Sequence, residues 1–165
     1  MTRMRPGSAM MHAVGAEPPY REHGAHRPPS PGKVIDTEAE PWETQYAMWC
    51  HLGPLIGGVV GAASQGIAFW VPLVIAIVLW RIKADESPFI DDHGRESVNF
   101  QISLFLLGLI AVLVGMATCG LGLIVTIPAV LILGLIGMIM GSVAGSRAEY
   151  FRYPACFRFL KGPRD

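Results

Sequence analysis

At 165 residues the chain has room for one domain and a tail, and its 52% hydrophobic and 16% charged residues depart from the soluble average of about 25% charged. Thirteen basic and 13 acidic residues cancel to zero net charge, and the mean hydropathy is +0.41. No basic run or interleaved aromatic pattern suggests nucleic acid, so no nucleic-acid partner is expected; the composition is that of a membrane protein.

Residues 1–42 hold seven prolines among Gly, His and Glu, without apolar periodicity. Such a stretch buries too little surface to offset ordering entropy, which predicts a disordered Pro/His-rich cytoplasmic tail. It lacks the apolar core of a secretory signal peptide. His12, His23 and His26 read as ordinary tail histidines, not a metal site.

From Thr44 to Trp80 no Asp, Glu, Lys or Arg occurs. The interval is too long for one span and just enough for two, with a polar break at Ser64-Gln65-Gly66. Spans are predicted near 44–63 and 67–82; both are short, which leaves a re-entrant hairpin as the alternative. Trp42, Tyr46 and Trp49 at one end, and Trp80, Arg81 and Lys83 at the other, suit an interfacial belt.

The segment 81–96 is the charged interval between two apolar blocks. Ser87 is placed to cap a helix with Pro88 in its first turn, and Asp91 and Asp92 lie where they complement the helix dipole. Asp91 stands i,i+4 from Arg95, and Asp92 stands i,i+4 from Glu96. The expected form is an amphipathic interfacial entry to the third span, with Asp92 and Glu96 facing water and a bend at Gly94.

Ser97 to Ser146 is again uncharged, with a glycine-rich break at 118–122. Spans are predicted near 97–117 and 122–145. The segment 147–165 alternates basic and aromatic residues, a composition suited to a surface of anionic headgroups. The fold class expected is therefore an all-α integral membrane protein with four transmembrane helices in two hairpins. All 13 basic residues then share one side, which the positive-inside rule assigns to the cytoplasm, with both termini there.

Gly53, Gly57 and Gly61 form one GxxxG ladder and Gly137, Gly141 and Gly145 another, each clearing a helix face for close packing. Packing within the chain is the first reading, a homo-oligomer interface the second. His51, Asn99 and Gln101 are polar side chains near membrane depth, expected to meet in one layer. Asp92, His93, Arg95 and Glu96 complete the candidate functional residues. Cys50, Cys119 and Cys156 are odd in number and form no C-x-x-C, so neither a disulfide framework nor zinc is expected. No H-E-x-x-H, G-x-S-x-G or P-loop occurs; no catalytic residue, metal or cofactor is assigned.

Four features together resemble a widespread family of small bacterial membrane proteins catalogued as a domain of unknown function. They are Met48-Trp49-Cys50-His51-Leu52-Gly53-Pro54-Leu55, Phe69-Trp70-Val71-Pro72, the run from Ser87 through Asn99-Phe100-Gln101-Ile102, and Tyr150-Phe151-Arg152-Tyr153-Pro154. That family is grouped with the four-span subunit of the Tic protein-import translocon of the chloroplast inner envelope. The resemblance covers about residues 43–161 and implies a four-helix domain of the bacterial inner membrane with cytoplasmic termini, but no reaction. The leading expectation is a non-enzymatic scaffold or accessory for translocation or assembly. Its expected partners are the lipid bilayer and other membrane proteins or a second copy. The alternative is a small oligomeric transporter lined by His51, Asn99 and Gln101.

Overall fold

The computed structural model describes residues 34–64 and 68–162, so the expectation of a disordered tail over 1–33 lies outside the described residues. Four α-helices follow one another: α1 (Pro41–Ala63), α2 (Val71–Lys83), α3 (Pro88–Ala117) and α4 (Leu123–Ser146). Three of them, α1, α3 and α4, are long and apolar enough to cross a membrane. The helix α2 measures about 20 Å at ~1.5 Å per residue, against a hydrocarbon core of about 30 Å.

Local chemistry sets the ends. Pro41 occupies the first turn of α1, and the Glu40 and Glu43 carboxylates cap each other's backbone amides, with Glu43 Oε2 2.6 Å from Glu40 N. The Ser87 hydroxyl accepts from Ile90 N at 3.3 Å, with Pro88 next to it. Arg81 and Lys83 sit in the last turn of α2, where the helix dipole favours cations. Between α3 and α4, Cys119 and Gly120 take positive φ, and Gly120 N returns to Gly115 O at 2.7 Å.

The predicted entry segment and third span are one continuous helix, α3. Gly94 lies within it. A side chain there would collide with the Trp80 indole, so the glycine exists to admit α2. Tyr46 Oη donates to Leu79 O at 2.8 Å, which ties α1 to α2.

Both glycine ladders face other parts of the same chain. A Cβ at Gly53 would lie 2.6 Å from the Leu79 side chain, and one at Gly57 2.7 Å from that of Ile75, both on α2. On α4, a Cβ at Gly137 would meet Phe100 at 2.6 Å, one at Gly141 the Tyr153 hydroxyl at 2.8 Å, and one at Gly145 the α1 backbone at 2.9 Å. Gly141→Leu is expected to cost about 1–3 kcal/mol or to block folding, read as a lower unfolding temperature in detergent; an unchanged midpoint would show that α4 does not sit this close.

Both ends of the helical domain lie together. Ile35 bridges Glu149 in antiparallel fashion, with Asp36 N–Ala148 O at 2.8 Å and Tyr150 N–Val34 O at 2.9 Å. The expected tail boundary at 42 is thus too late: residues 34–36 are paired and α1 begins at Pro41. Beyond Tyr150 the chain forms an irregular strap along the first half of α3. It does not lie as an isolated surface segment.

A buried polar layer closed by the C-terminal strap

Fifteen residues of α3 are buried, most of them in its polar first half. His51 and His93 are fully buried and Tyr153 is 1% exposed. Tyr153 Oη lies 2.8 Å from His51 Nδ1, His51 Nε2 lies 2.9 Å from His93 Nδ1, and His93 Nε2 lies 3.1 Å from Glu149 O. The carbonyl only accepts, so His93 Nε2 carries a hydrogen. With neutral rings the remaining tautomers follow: His93 Nδ1 accepts from His51 Nε2–H, and His51 Nδ1 accepts from the Tyr153 hydroxyl. The four groups form one polarised chain joining α1, α3 and the strap. Tyr153 also stacks on Phe100, with ring centroids 3.8 Å apart.

Burial, and then the negative charge of Glu96, push the Tyr153 phenol well above its usual value near 10. A raised folded-state value means this stabilisation is complete below the unfolded phenol's pKa of about 10 and is lost as pH rises above it. Wild type should therefore lose stability at alkaline pH more steeply than Tyr153→Phe. Parallel pH–stability curves would remove Tyr153 from the account. Burial raises the Cys156 thiol as well, partly offset by Ser103, so it is a poor thiolate.

The acidic residues are also taken up by the strap. Arg152 holds Asp92 through two bonds of 2.9 and 2.7 Å and lies 3.7 Å from Glu96. Glu96 Oε1 accepts from Tyr153 N at 2.7 Å and stands 3.6 Å from Arg158. Asp91 accepts from Trp80 Nε1 at 2.8 Å and pairs with Arg95 at 2.6 Å, while Arg95 also donates to Lys161 O at 2.7 Å. Asn99 Oδ1 accepts from Phe159 N and Leu160 N at 3.1 and 2.8 Å, and its Nδ2 donates to Leu160 O at 2.9 Å. Ser103 Oγ accepts from Phe157 N at 2.9 Å. Every buried side-chain nitrogen and oxygen among the described residues has a partner.

Two expectations are corrected. Asp92 and Glu96 do not face water: they are 6% and 2% exposed, because the strap's arginines cover them. Nor do His51, Asn99 and Gln101 form one hydrogen-bonded layer. His51 pairs with His93 and Tyr153, Asn99 clasps the strap backbone, and Gln101 points to Met138 Sδ at 3.1 Å. Along α3, His93 and Gln101 lie about two turns apart, which separates these partners. Among the described residues no group of three or more His, Cys, Asp and Glu is placed to hold a metal.

Arg158 and Ser103 were not singled out from the sequence, and Tyr153, Arg152 and Ser97 entered only within the runs that carry the resemblance, with no role assigned. A signal was present: α3 carries more acids and amides than the other spans can satisfy, and the cations and bare amides that match them lie after α4.

Residues 43–160 match the magnetosome magnetite crystal formation protein family, MamF_MmsF. The chain belongs to this family. No curated protein and no solved structure matches it. The bacterial character read from the sequence stands, and the family carries a more specific description than unknown function. None of these matches supports the Tic relationship. The MamF_MmsF match begins in the first turn of α1 and ends at Leu160, so it includes nearly all of the strap and the whole buried layer.

The layer changes what labelling should show. Asp85 is exposed and Asp92 is covered by Arg152. A polar maleimide should modify Asp85→Cys quickly and Asp92→Cys only after unfolding; equal rates in native membranes would mean the strap does not close over α3.

Proposed function

We propose that this chain is a non-enzymatic integral membrane protein that supports magnetite crystal formation from the bilayer of the mineral-forming compartment, with both termini and the strap on the cytoplasmic side. The family match over 43–160 carries the reading. The internal pairing of the buried groups supports the non-enzymatic part. Asp91, Asp92 and Glu96 hold Arg95, Arg152 and Arg158, and both buried histidines spend their ring nitrogens on the tyrosine–carbonyl chain. These groups act as fasteners, not as an acid–base or ligand set. The distribution of basic residues supports the orientation. The transporter reading loses its motive, since His51, Asn99 and Gln101 are engaged with separate partners.

The test is complementation. In a magnetite-forming bacterium lacking its own family member, this chain should restore crystal size and shape, and His51→Gln should do so only as far as the protein accumulates. Failure of the well-expressed wild type to alter the crystals would overturn the proposal.

A further inference from the structure

The two hairpins share one polar end but differ in reach. Ser97 Oγ donates to Cys50 O at 2.6 Å, which sets those residues at one level. From that level α1 continues to Ala63, about 20 Å, whereas α3 continues to Ala117, about 30 Å, at ~1.5 Å per residue. The α4 contacts give the same difference independently. Gly141 lies against His51, and from there α4 extends about 27 Å to Leu123 while α1 extends about 18 Å to Ala63. The far end of α1 therefore lies about 10 Å short of the far ends of α3 and α4, roughly a third of a ~30 Å hydrocarbon core. Phe69, just before α2, accordingly stacks on Phe105 in the middle of α3, with ring centroids 5.3 Å apart.

Exposure follows the same division. Residues 96–101 of α3 are all buried, whereas Met116, Leu121 and Val125 at the far turn are 74%, 71% and 71% exposed. The Ser64 hydroxyl donates to Gly61 O at 2.8 Å and accepts from Ala68 N at 2.9 Å, so these two backbone groups do not require water.

One end of the domain thus has the cross-section of four helices plus the strap, and the other that of two helices. With helices about 10–12 Å across, the excess is on the order of 200 Å² in one leaflet. We infer that the chain is a membrane wedge whose partner is a curved lipid bilayer: it selects membranes that are convex on the side of its termini. A convex leaflet has more area per lipid of the opposing leaflet, and the wide end fills that area, while acyl chains occupy the space under the short hairpin. The inference rests on the proposed orientation with both termini on one side. It adds to that reading a reason for the protein to gather on small vesicles.

The full chain, bearing an N-terminal epitope tag, would be reconstituted into phosphatidylcholine/phosphatidylglycerol vesicles. Molecules with termini outside would be counted by antibody on single vesicles from about 50 to 400 nm, where a curvature-selecting protein should be at least about two-fold denser on the smallest. Equal density at all diameters would overturn the wedge. A second measurement uses a membrane-impermeant maleimide on the far side, in chains carrying Cys50→Ser and Cys156→Ser. Cys119 in the long turn should react, and Ser64→Cys, made with Cys119→Ser, should not. Equal labelling of position 64 would sink the wedge and leave the orientation standing. Labelling of Cys119 only from the side of the termini would sink the orientation itself.

Discussion

His51→Ala is expected to lower unfolding stability by about 3–5 kcal/mol, measured by thermal or denaturant unfolding in detergent. Two effects add. The deleted imidazole leaves a void between α1, α3, α4 and the strap. It also leaves the Tyr153 hydroxyl and His93 Nδ1 buried with their shared partner gone. An unsatisfied buried polar group costs about 1–3 kcal/mol, and a large-to-small core change costs at least a further 2. Tyr153→Phe isolates part of this loss. It keeps the stack on Phe100 and removes only the hydroxyl, so it should cost about 1–2 kcal/mol. If His51→Ala proved no worse than Tyr153→Phe, the histidine chain would be peripheral to the fold.

Arg152→Ala should be similarly damaging, by about 3–5 kcal/mol, because it leaves the Asp92 carboxylate buried without its bidentate partner. The loss should appear first in the strap. Protease should cut within 150–162 in the variant under conditions that spare the wild type, while the α3–α4 hairpin stays intact. Combining Arg152→Gln with Asp92→Asn should cost less than the sum of the single changes, since the double variant removes both charges together. Strict additivity would show that the two side chains do not interact in the membrane-bound protein.

Sequence pattern carried the helices well because it depends on local quantities. Uncharged runs, the Ser87-Pro88 cap and the break at 118–122 each act within a few residues, and the structure places α3 and α4 accordingly. Membrane depth was less legible. Thr44–Trp80 counts as two short spans by composition, yet α2 begins only at Val71 and α1 ends about 10 Å short of α3. Counting apolar residues cannot show that the first turns of α1 lie beside the polar half of α3.

The candidate site divides the same way. His51, Asp92, His93, Glu96 and Asn99 stood out as polar groups beside apolar spans, and each is buried. Their partners did not stand out. Arg152 and Arg158 look like surface cations when read along the chain, because alternating basic and aromatic residues also describe a segment resting on headgroups.

By itself, then, the sequence determined an all-helical membrane chain, its charged end and its turns, since hydropathy and capping are properties of neighbouring residues. Only the tertiary structure decided that the acidic start of α3 is an interior surface and that His51 meets His93 and Tyr153. It alone also decided that α1 ends short of α3. Those outcomes depend on pairing across 42 to 102 residues of chain, where burial turns each polar group into a demand for one particular partner.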